Sequence, residues 1–497
     1  MRSFAYIGVF CLVALGMSAQ PVRAQQPPDQ QQEPPPPDTN TPDNNPAQPI
    51  PAIKSPLAGA AGSDQTDVDQ NAIQPDTNSP TGVQPVGVGS PAMTHNYWAP
   101  RISIAGTADS NPNFETTSTG TPGWSGWLSI YGGVDLHKAT ESNDLLLSYT
   151  GGGMFTNAAQ VDSGVIQTLS IKDKILFHRS TFTVFQQLSY LPESSLGFAG
   201  AVGSGIPGVG GVTGVGGGYT PGQSLLVPRG QNLSDSTALE WDYRLTGRTS
   251  FTAVGSYALL HYFDNDLANY GNTTLQAGYN YQLTRFDTIS LSYQFSAIRY
   301  SNLGQSINSS TVQGVYSRRV TGKLGFQIGV GPEFVTSNTP ITGLPRTPTV
   351  SSVTSTYLSV NASVMYSLKK ATITGSYNHG ITGGSGVLVG AETDTLTGSI
   401  TDRITRATTI GASFGYGRNN GFEVGNAAES QTFNYWFAGA NVTRTLGRSV
   451  DLFANYQLQY QSQTIDTAGC VGAACTENFT RNQFSVGVNF HKQPIPF

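Results

Sequence analysis

Charge is scarce in this chain: 11% of its 497 residues are Asp, Glu, Lys or Arg, against about a quarter in an average soluble protein. A conventional hydrated surface needs more than that, so part of the exterior faces something other than water. Cysteine is equally sparse, at three residues, and the six histidines show no metal-ligand spacing such as HExxH. No zinc centre, cofactor site or activated nucleophile is suggested. Long apolar runs are missing too, apart from one at the N-terminus. A membrane helix needs about 20 consecutive apolar residues, so a membrane location downstream of that run requires a closed sheet.

The N-terminal run, "MRSFAYIGVFCLVALGMSAQPVRAQQ", has a basic Arg2, an apolar stretch and small residues before Gln25. That layout predicts a signal peptide over 1–24, cleaved after Ala24. Residues 25–96 are rich in Pro, Gln, Asp and Asn, with too little apolar surface to offset the entropy of ordering. They are predicted to form a disordered periplasmic linker. The segment 97–497 keeps 23 of the 26 bases and 23 of the 31 acids. Its neutrality removes an electrostatic case for nucleic acid.

What fills 97–497 is alternation. "TTLQAGYNYQL" sets Leu275, Ala277, Tyr279 and Tyr281 on one face and Gln276, Gly278, Asn280 and Gln282 on the other. "ISLSYQFSA", "VDLFANYQLQYQ" and "NQFSVGVNF" repeat the pattern, with Phe453 as an apolar exception on a polar face. Short basic connections ("TGRTS", "TRFDT", "TGK", "LKKAT", "TRAT", "LGRS") recur about every 40 residues and alternate with longer loops. Two long strands per repeat argue against a propeller, whose blades hold four short ones. The pattern predicts eighteen strands, with sixteen as the alternative count, the first near 100–108 and the last near 481–491. An even number returns both termini to one side.

On this patterning 97–497 resembles the Gram-negative outer-membrane β-barrel superfamily of porins, without the motif of a specific family. The resemblance implies an all-β transmembrane antiparallel barrel, a lipid-facing outer wall, help from the outer-membrane assembly machinery, and passive diffusion of small hydrophilic solutes. Two alternatives stay open: a surface structural or adhesion barrel whose lumen is occluded by loops, and a polysaccharide export barrel. Homo-oligomer formation and solute identity are also open. Proteins of this kind commonly end in an aromatic residue. Phe497 is out of phase with Phe484 to Phe490, so Phe490 is the expected strand-end aromatic and "HKQPIPF" a short tail.

Candidate pore-lining residues follow from the alternation: Lys172, Lys174, Glu240, Asp242, Arg244, Gln276, Asn280, Gln294, Asn455, Gln457, Gln459 and Gln461. Lys172 and Lys174 against Glu240, Asp242 and Arg244 would form opposed walls with a transverse field if they face each other across a lumen, or mutual salt bridges if they do not. The glycine-rich run within 191–236 reads as a lumenal plug or as an external loop. "YNHGITGGSG", with His379 and Ser385, has the residue types of a hydrolase, but its spacing reads as a strand end entering a glycine-rich loop, and no enzyme is expected.

After signal cleavage, Cys470 and Cys475 are the two cysteines left, close together in the last long loop and in an oxidising compartment. They are expected to form a disulfide, which restrains the loop by about 2 kcal/mol in the chain-entropy model. Thiol titration of the unreduced, denatured protein should therefore find no free thiol, and two reactive thiols per chain would contradict the pairing.

Overall fold

In the computed structural model of the chain, the described residues are 96–112, 123–156, 164–191, 231–263, 267–301, 303–341, 349–383, 388–421, 430–466, 476–492 and 495–496. The predicted signal peptide and linker, the glycine-rich run between 192 and 230, Ser385, Cys470, Cys475 and Phe497 lie outside them.

Eighteen long strands follow one another: β1 (Tyr97–Asp109), β2 (Ser125–Ala139), β3 (Asn143–Phe155), β4 (Gly164–Leu176), β5 (Ser180–Leu191), β6 (Asn232–Arg244), β7 (Thr249–Tyr262), β8 (Tyr270–Gln282), β9 (Asp287–Tyr300), β10 (Ser306–Arg319), β11 (Leu324–Ile341), β12 (Thr349–Ser367), β13 (Ala371–Thr382), β14 (Ala391–Arg403), β15 (Thr408–Gly421), β16 (Ser430–Thr445), β17 (Val450–Asp466) and β18 (Thr476–His491). Each pairs antiparallel with its neighbours in sequence, and β18 pairs back onto β1 from Arg101↔His491 to Asp109↔Gln483. The sheet is thus a closed barrel, and the strand-bearing residues have no helix among them. The short tail expected after Phe490 carries one more pairing. A two-residue strand β19 (Ile495–Pro496) pairs with Tyr97 and Trp98, so the chain end is tied to the base of β1.

One end of the barrel carries turns of three or four residues; the other carries connections of five to forty. The short turns owe their shape to threonine. In "TGRT", "TRFD" and "TGKL" the hydroxyl of Thr246, Thr284 or Thr321 accepts the N–H groups two and three residues on, at 3.0–3.1 Å. A threonine side chain thereby mimics a backbone acceptor and tightens the reversal. In "LGRS" the same task falls to Gly447, which adopts φ +88, a conformation costly for other residues.

Strand alternation decides the two faces. Leu275, Leu291, Val330, Leu358, Val486 and Phe490 point outward and are exposed, whereas Ser290, Gln276, Thr252, Gln327 and Ser485 point inward and are buried. The usual arrangement of apolar inside and polar outside is inverted. Aromatic residues border the apolar belt. Trp241, Phe251, Tyr316 and Phe326 lie near the short-turn end, with ring contacts at 6.1 and 6.0 Å. Toward the long-loop end, Trp436 stacks on Tyr460 at 5.6 Å.

At β11 the ladder to β10 skips two pairs: Thr311↔Glu333 is followed by Gly314↔Val330. Pro332 brings no N–H to that site, and a Cβ on Gly331 would lie 1.8 Å from the Val312 carbonyl oxygen. Glycine is required there because the backbones approach so closely. Gly331→Val should destabilise the barrel by roughly 1–3 kcal/mol, the usual range for overpacking, read as a lower temperature for loss of the compact electrophoretic form, while Gly314→Val, where the added carbon meets open space, should change it little.

Candidate functional site

The candidate site is the inner wall. Pairing register places Lys172 and Lys174 (β4), Glu240, Asp242 and Arg244 (β6), Gln276 and Asn280 (β8), Gln294 (β9) and Asn455, Gln457, Gln459 and Gln461 (β17) on the inward face. Most are buried: Lys172, Glu240, Asp242, Gln276, Asn280, Gln457, Gln459 and Gln461 all lie below a tenth exposed. Arg244 sits at the strand end and is exposed. Phe453 also points inward and covers Gly487, whose missing side chain leaves room for the ring.

The structure corrects the opposed-wall expectation. Lys174 and Glu240 both pair with Thr183 of β5, so the bases and acids share one side of the barrel, two strands apart. They cannot set up a field across the full lumen.

Charge is nevertheless distributed unevenly around the lumen. It gathers on eight strands that are contiguous through the closure, β17, β18 and β1 to β6. Arg101 of β1 pairs with Asp135 of β2 and donates to Thr150 Oγ1 of β3 at 2.7 Å, while Ser148 donates to the same Asp135 at 2.6 Å. His137 meets Asp144 at 2.7 Å, and His491 meets Asp451 at 3.1 Å. Asp242 accepts from Thr252 at 2.7 Å. Across the seam, Arg481 of β18 donates through Nε to Asp109 of β1 at 2.7 Å, and Gln483 adds a bond at 3.1 Å.

The other arc, β7 to β16, is neutral. Its inward groups are mostly Ser, Thr, Gln, Asn and Gly, with Glu333 of β11 the charged side chain away from strand ends among the described residues. Asn361, reaching over Gly329, donates to Gln313 at 2.8 Å, and Gln313 in turn donates to Ser359 at 2.9 Å. Hydroxyls pair across strands in the same way: Ser376 with Thr397 and Thr382 with Thr393, each at 2.8 Å, and Thr393 with Asn419 at 2.9 Å.

His379, singled out in the sequence, points away from the lumen. Its Nδ1 lies 2.8 Å from Asp394, which also accepts from Tyr377, and its Nε2 lies 3.5 Å from Glu392. Among the described residues no cluster of His, Cys, Asp and Glu is arranged to hold a metal ion.

Sequence reasoning missed the Arg101–Asp135 and Arg481–Asp109 pairs. Asp109 and Arg481 are far apart in the chain, and only the closing register brings them together.

No protein family model matches the chain, and no curated protein matches it. Solved structures similar to it include the outer membrane protein OpdK of Pseudomonas aeruginosa (9% identity, 80% of this chain and 99% of that one, TM-score 0.37). Others are OccAB3 of Acinetobacter baumannii (9%, 80% and 99%, 0.37) and the ferric citrate transporter FecA (10%, 83% and 82%, 0.39). At such scores the likenesses carry no functional weight.

The Arg481 guanidinium and the Asp109 carboxylate are 2% and 0% exposed. Removing one partner strands the other charge, at a cost of roughly 3–5 kcal/mol. Asp109→Asn should lower the midpoint of urea unfolding accordingly, and combining it with Arg481→Gln should recover part of the loss; a single variant as stable as the parent would show that the seam does not depend on this pair.

Proposed function

We propose that this chain is an outer-membrane channel, with passive passage of small hydrophilic solutes through its lumen. One observation carries the reading: a closed barrel with a continuous exposed apolar belt outside and a polar face inside. A sheet that exposes Leu275, Leu291 and Leu358 at 55%, 60% and 55% would associate or precipitate in water. In hydrocarbon the same surface is at home, and closure leaves no backbone group unpaired there. The aromatic borders fit the two interfaces of a bilayer. In such barrels short turns face the periplasm, which puts the long loops outside the cell and the linker in the periplasm. Apolar outer-membrane lipid is then the partner of the belt, and the assembly machinery its means of insertion.

Eighteen strands can enclose an aqueous passage. Amide and hydroxyl groups on β7 to β17 suit water and neutral hydroxylated solutes, and the charged arc suits polar groups of either sign. No reaction is assigned to the wall.

The occluded-scaffold reading keeps one observation in its favour. Glu240, Thr252, Asn419 and Gln459 are 0% exposed, and the Gln459 amide makes no hydrogen bond among the described residues. A wide, water-filled tube would leave inward side chains wetter than this.

Folded protein should migrate faster on SDS gels unheated than boiled and should fractionate with outer membranes. In planar bilayers it should give discrete conductance steps. In a background without native cysteines, Gln457→Cys should react with a small water-soluble thiol reagent, Leu458→Cys slowly, and bulky labelling at 457 should lower conductance. Faster labelling at 458 would contradict the facing, and a folded, inserted protein with silent bilayers would leave the occluded scaffold in place of the channel.

A further inference from the structure

The eight short turns share a composition that has no part in the lumen. Seven of them open on an exposed apolar residue and carry an exposed base two or three positions on: "FHR" at 177–179, "LTGR" at 245–248, "LTR" at 283–285, "VTGK" at 320–323, "LKK" at 368–370, "ITR" at 404–406 and "LGR" at 446–448. The eighth, "TES" at 140–142, has neither and holds Glu141 instead; the base before it, Lys138, belongs to β2. Apolar residue and base thus occur together or not at all.

Across the eight turns there are eight bases and one acid. Among the described residues none of these bases is in an ion pair. Asp287, beside one of the turns, accepts from Thr284 at 2.6 Å and Tyr316 at 2.7 Å and lies 3.6 Å from Arg318 of β10. Toward the long-loop end the outward charges of the described strands are mixed, with Asp235, Glu392 and Asp394 as well as Arg299 and Arg418. The excess of base belongs to one rim.

The turn backbone fixes each apolar residue relative to its base. In "LTGR" and "VTGK" the base's own amide donates to the hydroxyl of the intervening threonine at 3.1 Å, and in "ITR" the amide of Ala407, next to the base, does so at 3.2 Å. The opening residues, Leu245, Val320 and Ile404 among them, are exposed like the belt above them and form its edge. A base three residues further on is at most about 11 Å of chain away. Its long side chain can therefore place its charge in the headgroup layer, which is roughly 5–8 Å deep on each side of a bilayer. An apolar residue in the acyl chains with a base at the phosphates is how proteins hold an anionic membrane surface. A soluble polyanion, the acidic segment 25–96 included, would neutralise the bases but gain nothing from the apolar residue beside each.

We propose that the short-turn rim is a docking surface for anionic phospholipid, with the opening residues of the turns set in the acyl chains and the bases in ionic contact with the headgroup phosphates. The inference rests on the lipid-facing half of the channel reading and is independent of passage through the lumen.

The test uses the full-length protein in phosphatidylcholine vesicles containing a trace of phosphatidylglycerol or phosphatidylcholine spin-labelled on the acyl chain. Electron paramagnetic resonance then reads the fraction of each labelled lipid whose motion the protein restricts. The parent should retain phosphatidylglycerol at least twofold more strongly than phosphatidylcholine, and high salt should bring the ratio close to one. The combination of Arg179→Gln, Arg248→Gln, Arg285→Gln, Lys323→Gln, Lys369→Gln, Lys370→Gln, Arg406→Gln and Arg448→Gln should do the same in protein shown to be folded by heat-modifiable migration. Arg248→Gln with Arg285→Gln should lower the ratio part of the way, whereas Arg299→Gln with Arg418→Gln, toward the long-loop end, should leave it unchanged. A preference that survives high salt, or that survives the eight substitutions, would overturn the proposal. Equal retention of both lipids by the parent would also overturn it and would leave another polyanion, such as the acidic segment 25–96, as the counter-charge of the rim. Absence of any restricted component, phosphatidylcholine included, would remove the lipid-facing reading itself and this surface with it.

Discussion

Every backbone N–H and C=O in hydrocarbon must find a partner within the protein, because no water is there to supply one. For a chain of strands this leaves one solution, a sheet without edges. The seam where β18 meets β1 is therefore the element on which the fold depends. Nine residue pairs join the two strands, and bonds beyond the ladder extend the join at both ends, from Ser110 to Asn482 at 2.9 Å and from Lys492 to Pro100 at 3.2 Å. The buried Arg481–Asp109 pair and Gln483 lie on the same seam. Side chains of unusual cost are thus spent where closure is made.

Once the sheet is closed, the twofold period of a strand assigns every side chain to lipid or lumen. The outer set is nearly uniform, since hydrocarbon makes one demand. The inner set is free to vary, and here it divides into a charged arc on β17 to β6 and a neutral arc on β7 to β16. A solute in such a lumen meets ionic groups on one side and hydroxyl and amide groups on the other.

Much of the barrel was legible in the sequence because one face meets lipid and the other does not. Where both faces meet water, the alternation ends although the ladder continues. β6 begins at Asn232, five residues before the alternation does, through "NLSDS", whose outward Asp235 bonds to Gln186 on the outer surface. β18 likewise begins at Thr476, in "TENFT", rather than at 481. The inward facing of Gln457 and Gln459 follows from local periodicity and could be read directly. Partners across strands could not: Arg101 and Asp135 meet through register, which no local pattern encodes. The opposed-wall expectation failed because two strands' separation on a circumference of eighteen is a small angle.

The central claim is that the outer face lies in lipid and the inner face does not. Tryptophan fluorescence in vesicles with brominated acyl chains tests it in one step, since bromine quenches by contact. With one tryptophan retained at a time, Trp241, which is 43% exposed on the outer face, should be strongly quenched. Trp127, inward and 8% exposed, should keep most of its emission. Equal quenching of the two, or none of Trp241 in folded, vesicle-bound protein, would contradict the account.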